Sequence, residues 1–142
     1  MGIPIRELLE GVLIESLGLQ IAAGEKGLAK EVSTSRIQKP GLLLTGLLEE
    51  LHPDRLQIFG AAEIGYLTSL PEEKLLRSLR VLEKADIPAI IVTRGLEPPD
   101  FLIELCGSKD VPLLKTNLTS SVLIEGVTKY LEERLAPSTN VH

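Results

Sequence analysis

The 142-residue sequence has one cysteine, Cys106, so it contains no internal disulfide. It has no tryptophan, and only 3% of its residues are aromatic, which excludes a base-stacking platform for nucleic acid. Cations are in the minority. Lys+Arg number 15 against 20 Asp+Glu, a net charge of −5, where a phosphate-backbone surface needs a basic face. Only two histidines are present, His52 and His142, and neither has metal-ligand spacing. No apolar run is long enough to span a membrane, and Arg6, Glu7, Glu10 and Glu15 interrupt any signal-peptide core. These absences predict a cytoplasmic protein without nucleic-acid or membrane partners. What is present is ordinary: 44% hydrophobic and 25% charged residues, enough for one self-sufficient core.

Ile5, Leu8, Leu9, Val12, Leu13 and Leu17 form one helical stripe, with Pro4 in the first turn and Gly18 as the stop. Leu19 to Ala23 alternates weakly, and Gly24-Glu25-Lys26-Gly27 reads as a turn. Ala29 to Ile37 predicts a short strand pair with a hairpin-like link. Leu42 to Leu51 is undecided between loop and helix. From Arg55 onward the pattern alternates. Strands are predicted at Leu56–Phe59, Ala89–Val92 and Val111–Lys115. Helices are predicted at Ala61–Leu70, Pro71–Ala85, Pro98–Cys106 (stopped by Gly107) and Thr119–Leu135. Leu75, Leu76, Leu79 and Leu82 are the expected buried stripe of the second of these helices.

This alternation predicts an α/β fold. A parallel βαβ sheet with flanking helices carries a smaller mixed α/β N-terminal part. Residues 1–135 are expected to form a single domain, and 136–142 a linker toward a catalytic domain outside these residues.

Catalytic motifs are missing. No G-x-x-x-x-G-K-[ST] phosphate loop and no G-x-G-x-x-G fingerprint occurs. Cys106 reads as a small buried hydrophobe. Adjacent pairs such as Glu72-Glu73 point about 100° apart on a helix and read as solvated faces. One segment has functional character, Thr93-Arg94-Gly95, directly after the most apolar strand. Ligands of parallel sheets gather outside the strands' carboxyl ends. Thr93 offers a hydroxyl, Arg94 a planar fork for carboxylate or phosphate, and Gly95 close backbone approach. Thr116 and Asn117 follow the next strand on the same edge. The same loop also reads as one whose arginine pairs with a neighbouring helix end. No metal site is expected.

A set of ordered motifs resembles a known family. They are Lys39-Pro40-Gly41 with Leu44-Thr45-Gly46, and Arg55-Leu56-Gln57-Ile58-Phe59-Gly60 with Glu63, Tyr66 and Leu67. Pro88, Ile90-Ile91-Val92-Thr93-Arg94-Gly95-Leu96-Glu97-Pro98-Pro99 and Val111-Pro112-Leu113-Leu114 follow. Tyr130-Leu131-Glu132-Glu133, Leu135-Ala136-Pro137 and Val141-His142 close the set. From about Glu25 to His142 the sequence resembles the N-terminal domain of HPr kinase/phosphorylase. That bacterial enzyme family phosphorylates and dephosphorylates a regulatory serine of the phosphocarrier HPr in carbon-source regulation.

The resemblance implies a fold similar to the first domain of UDP-muramoyl-peptide ligases. It implies a regulatory or assembly domain of a bifunctional serine kinase/phosphorylase that is not an enzyme by itself. No cofactor is expected in this chain. ATP or pyrophosphate with Mg²⁺ belongs to the full-length family enzyme, whose phosphate loop lies beyond these residues. The implied partners are the domain's own catalytic domain, neighbouring subunits of a hexamer, and HPr. The alternative function is a free-standing sensor of a small anion or nucleotide-sugar.

Overall fold

A computed structural model describes residues 2–10, 17–40 and 51–136. Seven strands and five helices are present among them, named here in chain order. They are β1 (Ile3–Pro4), α1 (Glu7–Glu10), β2 (Gln20–Ala23), β3 (Glu31–Val32), β4 (Ile37–Gln38) and β5 (Leu56–Phe59). These are followed by α2 (Ala61–Ser69), α3 (Glu72–Lys84), β6 (Ile90–Val92), α4 (Asp100–Lys109), β7 (Leu113–Lys115) and α5 (Ser120–Leu135).

The main sheet has the order β2-β7-β6-β5-β4. Strands β4 to β7 run parallel, and β2 closes the edge antiparallel to β7. The expected parallel trio is therefore β5, β6 and β7, joined by helical crossovers. Its register sets Phe59 opposite Val92 and Val92 opposite Lys115. The residues that follow, Gly60, Thr93 and Thr116, thus leave the sheet side by side at its carboxyl edge.

Side chains alternate across a strand, so each strand feeds two cores. Leu56, Ile58, Ala89, Ile91 and Leu114 face one side, where Leu123, Val127, Tyr130 and Leu131 of α5 cover them with Ile3, Ile5, Leu8 and Val32. Phe59, Ile90, Val92 and Leu113 face the other, against Ile64, Leu67, Leu82, Leu102 and Cys106 from α2, α3 and α4. A strand buried on both faces reads as a continuous apolar run, as Ala89–Val92 does. Cys106 is fully buried, and desolvation of its thiolate pushes the thiol up from 9.0 to about 12.

Several local expectations are corrected. Pro4 lies in β1, which pairs antiparallel with β3, rather than in a helical first turn. Helix α1 is one short segment, and the continuation of its stripe over 11–16 lies outside the described residues, as do 41–50 and 137–142. The segment Ala29 to Ile37 is no hairpin. Strand β3 joins β1 in a two-stranded sheet, while β4 joins β5 in the main sheet. Leu76 is 51% exposed, because the face of α3 that meets the sheet runs through Leu75, Leu79 and Leu82 and leaves Leu76 off it. Leu76 instead borders an open groove with Leu79, Phe101 and Leu105. Gly107 does not stop α4. The helix runs to Lys109, and Asp110 caps it at φ 55, a left-handed position that a short polar side chain tolerates.

The Gly24–Gly27 segment is a turn, with a 3-10 turn at Glu25–Gly27 and Gly24 at φ 75. Its backbone lies directly against another. A Cβ on Gly24 would sit 1.9 Å from the Val111 carbonyl oxygen, and one on Gly27 1.8 Å from that of Asp110. Among the described residues no helix is long and apolar enough to cross a membrane.

Candidate functional site

The carboxyl edge of the sheet is built by main-chain bonds between neighbouring loops. The Thr93 N–H donates to Phe59 O at 3.1 Å, and the Thr116 N–H to Val92 O at 3.0 Å. Past the strands, the Arg94 N–H donates to Leu118 O at 2.7 Å and the Gly95 N–H to Thr116 O at 2.9 Å. The chain reverses through Arg94 at φ 62 and Gly95 at φ 68, closed by Leu96 N–H to Thr93 O at 3.2 Å. Positive φ is natural for glycine but costs an arginine about 1–2 kcal/mol.

The five residues singled out from sequence divide between two places. Thr93 is fully buried, and its hydroxyl is 2.7 Å from the Ser120 hydroxyl, so it supports the site from beneath. Arg94 lines an open cavity of about 440 Å³ with Lys39, Ala61, Ala62, Thr119, Ser120, Ser121 and Ile124. Gly95, Thr116 and Asn117 lie on the other side of the loop, around a smaller depression of about 100 Å³ with Gly18, Gln20, Glu97 and Lys115. The Thr116 hydroxyl is already engaged there. It donates to Leu17 O at 2.5 Å and accepts from the Leu118 N–H at 3.2 Å. A Cβ on Gly95 would lie 3.1 Å from Asn117 Oδ1, so the loop ends pack closely.

The larger cavity brings together groups that are distant in sequence. The first turn of α2 presents Ala61 and Ala62, and that of α5 presents Ser120 and Ser121. First-turn N–H groups have no acceptor within their own helix. Helix α5 is capped by Thr119, whose hydroxyl accepts from the Val122 N–H at 3.4 Å, and its first turn carries no carboxylate. Lys39, one residue past β4, reaches in from the sheet edge. Its ammonium donates to both oxygens of Glu63, at 2.7 and 2.9 Å. Glu63 is fully buried and also accepts from the Gly60 N–H at 2.9 Å, at the positive end of the α2 dipole. This pair fixes Lys39 at the cavity wall. The Arg94 guanidinium makes no ion pair or hydrogen bond among the described residues.

Sequence reasoning passed over Ser120 and the two helix starts, whose involvement depends on the packing of α5 beside α2. Lys39, Gly60 and Glu63 had appeared only as members of the resemblance motifs. The signal that could have joined them is Gly60-x-x-Glu63, a strand end followed by an N3 carboxylate.

The turn Gly24–Gly27 is pressed against the carbonyls of Asp110 and Val111. No group of three or more His, Cys, Asp or Glu side chains could hold a metal ion among the described residues.

Comparison with known proteins agrees with the architecture. The chain is 43% identical over 142 residues to an HPr kinase/phosphorylase of Geobacter sulfurreducens, covering all of this chain and 44% of that protein. It thus spans less than half the length of this relative. Among solved structures it is similar to the CBS and DRTGG domains of the regulatory region of Clostridium perfringens pyrophosphatase, complexed with the activator diadenosine tetraphosphate. The TM-score is 0.50 at 16% identity, covering 82% of this chain and 44% of the other, which is a likeness of fold alone. The model of the family described as HPr Serine kinase N terminus matches residues 3–131, so the match begins well before Glu25 and includes β1 and α1. With both β-sheets inside the matched span, this chain belongs to the HPr serine kinase N-terminal family.

Proposed function

We propose that this chain is the non-catalytic regulatory and assembly domain of a bifunctional HPr serine kinase/phosphorylase. One observation carries the reading. The whole chain aligns with 44% of such an enzyme, and the aligned stretch contains no phosphate loop. Phosphoryl transfer is catalysed almost entirely by positioning and charge stabilisation, through an amide cradle, a lysine on the phosphates and carboxylate-held Mg²⁺. In this reading those parts, with ATP or pyrophosphate, belong to the remaining length of the enzyme. This domain acts on them through contacts with its own catalytic domain and neighbouring subunits, and HPr is a further candidate partner.

The test has two arms. The 142-residue chain, incubated with labelled ATP, Mg²⁺ and HPr, or with phosphorylated HPr and inorganic phosphate, should give no transfer above a no-protein blank. A full-length family enzyme lacking the segment aligned with residues 3–131 should keep measurable transfer but change its subunit assembly or its response to effectors. Transfer by the short chain would overturn the reading, and so would a truncated enzyme indistinguishable from the intact one.

A further inference from the structure

We propose that the cavity between the first turns of α2 and α5 binds a small phosphate monoester, with Lys39 and Arg94 as its charged contacts. This goes beyond the proposed regulatory role and does not depend on it. Among the described residues, the charged ones that line the cavity are Lys39 and Arg94, both cationic, on a chain of net charge −5. They stand with two helix starts whose small residues, Ala61, Ala62, Ser120 and Ser121, leave the first-turn amides open to a ligand.

The Ser120 hydroxyl is poised to donate. Thr93 Oγ1 is buried beneath it at 2.7 Å, and when Thr93 gives its proton to Ser120, the Ser120 proton is free to turn into the cavity. The Lys39 ammonium uses Glu63 as an anchor and still has a third N–H. Glu63 cancels the Lys39 charge and already sits at the positive end of the α2 dipole, which leaves Arg94 and the α5 dipole as the net attraction.

The number of donors selects the ligand. Those that line the cavity come from the residue after β4, from the loop after β6 and from two helix starts. A planar carboxylate has two oxygens and meets two such donors. A phosphate monoester presents three terminal oxygens and meets more of them, with the Arg94 fork suited to a bidentate contact. At about 440 Å³ the cavity falls in the range of small-molecule sites and exceeds what bare phosphate fills. Ile124, Ala61 and Ala62 supply an apolar wall for the organic part.

The experiment is an amide-resolved NMR titration of the 142-residue chain at constant ionic strength, with inorganic phosphate, ribose 5-phosphate and ribose as probes. Ribose 5-phosphate should shift the amides of Ala61, Ala62, Ser120 and Ser121 saturably and more tightly than phosphate, and ribose should not shift them. Arg94→Gly should weaken binding about tenfold or more. It should not lower the denaturation midpoint, because glycine accepts the positive φ. Ser121→Asp places a carboxylate where the α5 dipole favours it, so it should hold or raise stability while repelling the ligand. The proposal is overturned if neither phosphate probe shifts these amides saturably, if ribose shifts them equally, or if both variants bind as wild type does.

Discussion

Gly60→Ala probes the wall of the cavity without touching a charged group. Gly60 has φ −99 and ψ −161, an extended conformation open to alanine, so no backbone strain is introduced. The new Cβ would lie 2.7 Å from Ser120 Oγ, 3.3 Å from Thr93 Oγ1 and 3.4 Å from Lys39 Cε. The first distance is too short, and the atom that must yield is the end of the Ser120 side chain. Rotating it away breaks the 2.7 Å bond to Thr93 and strands a fully buried hydroxyl. Such a group costs about 1–3 kcal/mol, and the reduced freedom of the unfolded chain returns about 0.4–1 kcal/mol.

Gly60→Ala should therefore destabilise, by up to about 2.6 kcal/mol, read as a lower urea midpoint at unchanged slope. Gly65→Ala on the same helix is the control. A Cβ there meets nothing within 4 Å, so the substitution should stabilise by about 0.5–1 kcal/mol through helix propensity. In a Ser120→Ala background the clashing oxygen is gone and Thr93 is already without its partner, so the cost of Gly60→Ala should vanish. This packing is refuted if Gly60→Ala stabilises as Gly65→Ala does. It is equally refuted if the Gly60 and Ser120 changes add to within about 0.5 kcal/mol, the behaviour of independent sites.

Two further outcomes follow from the packing. Cys106 should be inert to a thiol reagent in the native chain at pH 8 and react fully in denaturant, because it is buried and its thiol is raised to about 12. With the folded thiol above the unfolded value near 9.0, its contribution to stability is intact below about pH 9. It declines as pH rises toward 12, by at most about 1.4 kcal/mol per unit, and Cys106→Ala should flatten that alkaline slope in denaturation measurements. Gly24→Ala should cost about 2–5 kcal/mol by denaturant titration, since it combines a left-handed φ of 75 with a Cβ placed 1.9 Å from a backbone oxygen.

The sequence by itself determined the layered α/β core. A strand buried on both faces and a helix buried on one each have a local signature, so β5, β6 and β7 and the helices α3 and α5 were legible from runs such as Ile90–Val92 and from the spacing Leu123, Val127, Tyr130. It also indicated Arg94 as a residue at the carboxyl edge, because the position after a buried parallel strand is a general place for ligands.

Tertiary structure decided what stands next to Arg94. Two-residue strands such as β3 and β4 carry no periodicity, and their partners are set by contacts far along the chain. Lys39 meets Glu63 across 24 positions and Thr93 meets Ser120 across 27, pairings that no local pattern encodes. The same holds for the division of the five candidate residues. The reversal at Arg94 and Gly95 sends Arg94 to the cavity at α2 and α5, while Gly95, Thr116 and Asn117 line the depression beside β2. Which side of a sheet edge a loop residue serves depends on where the chain turns and what packs beneath it. Both are properties of the folded molecule.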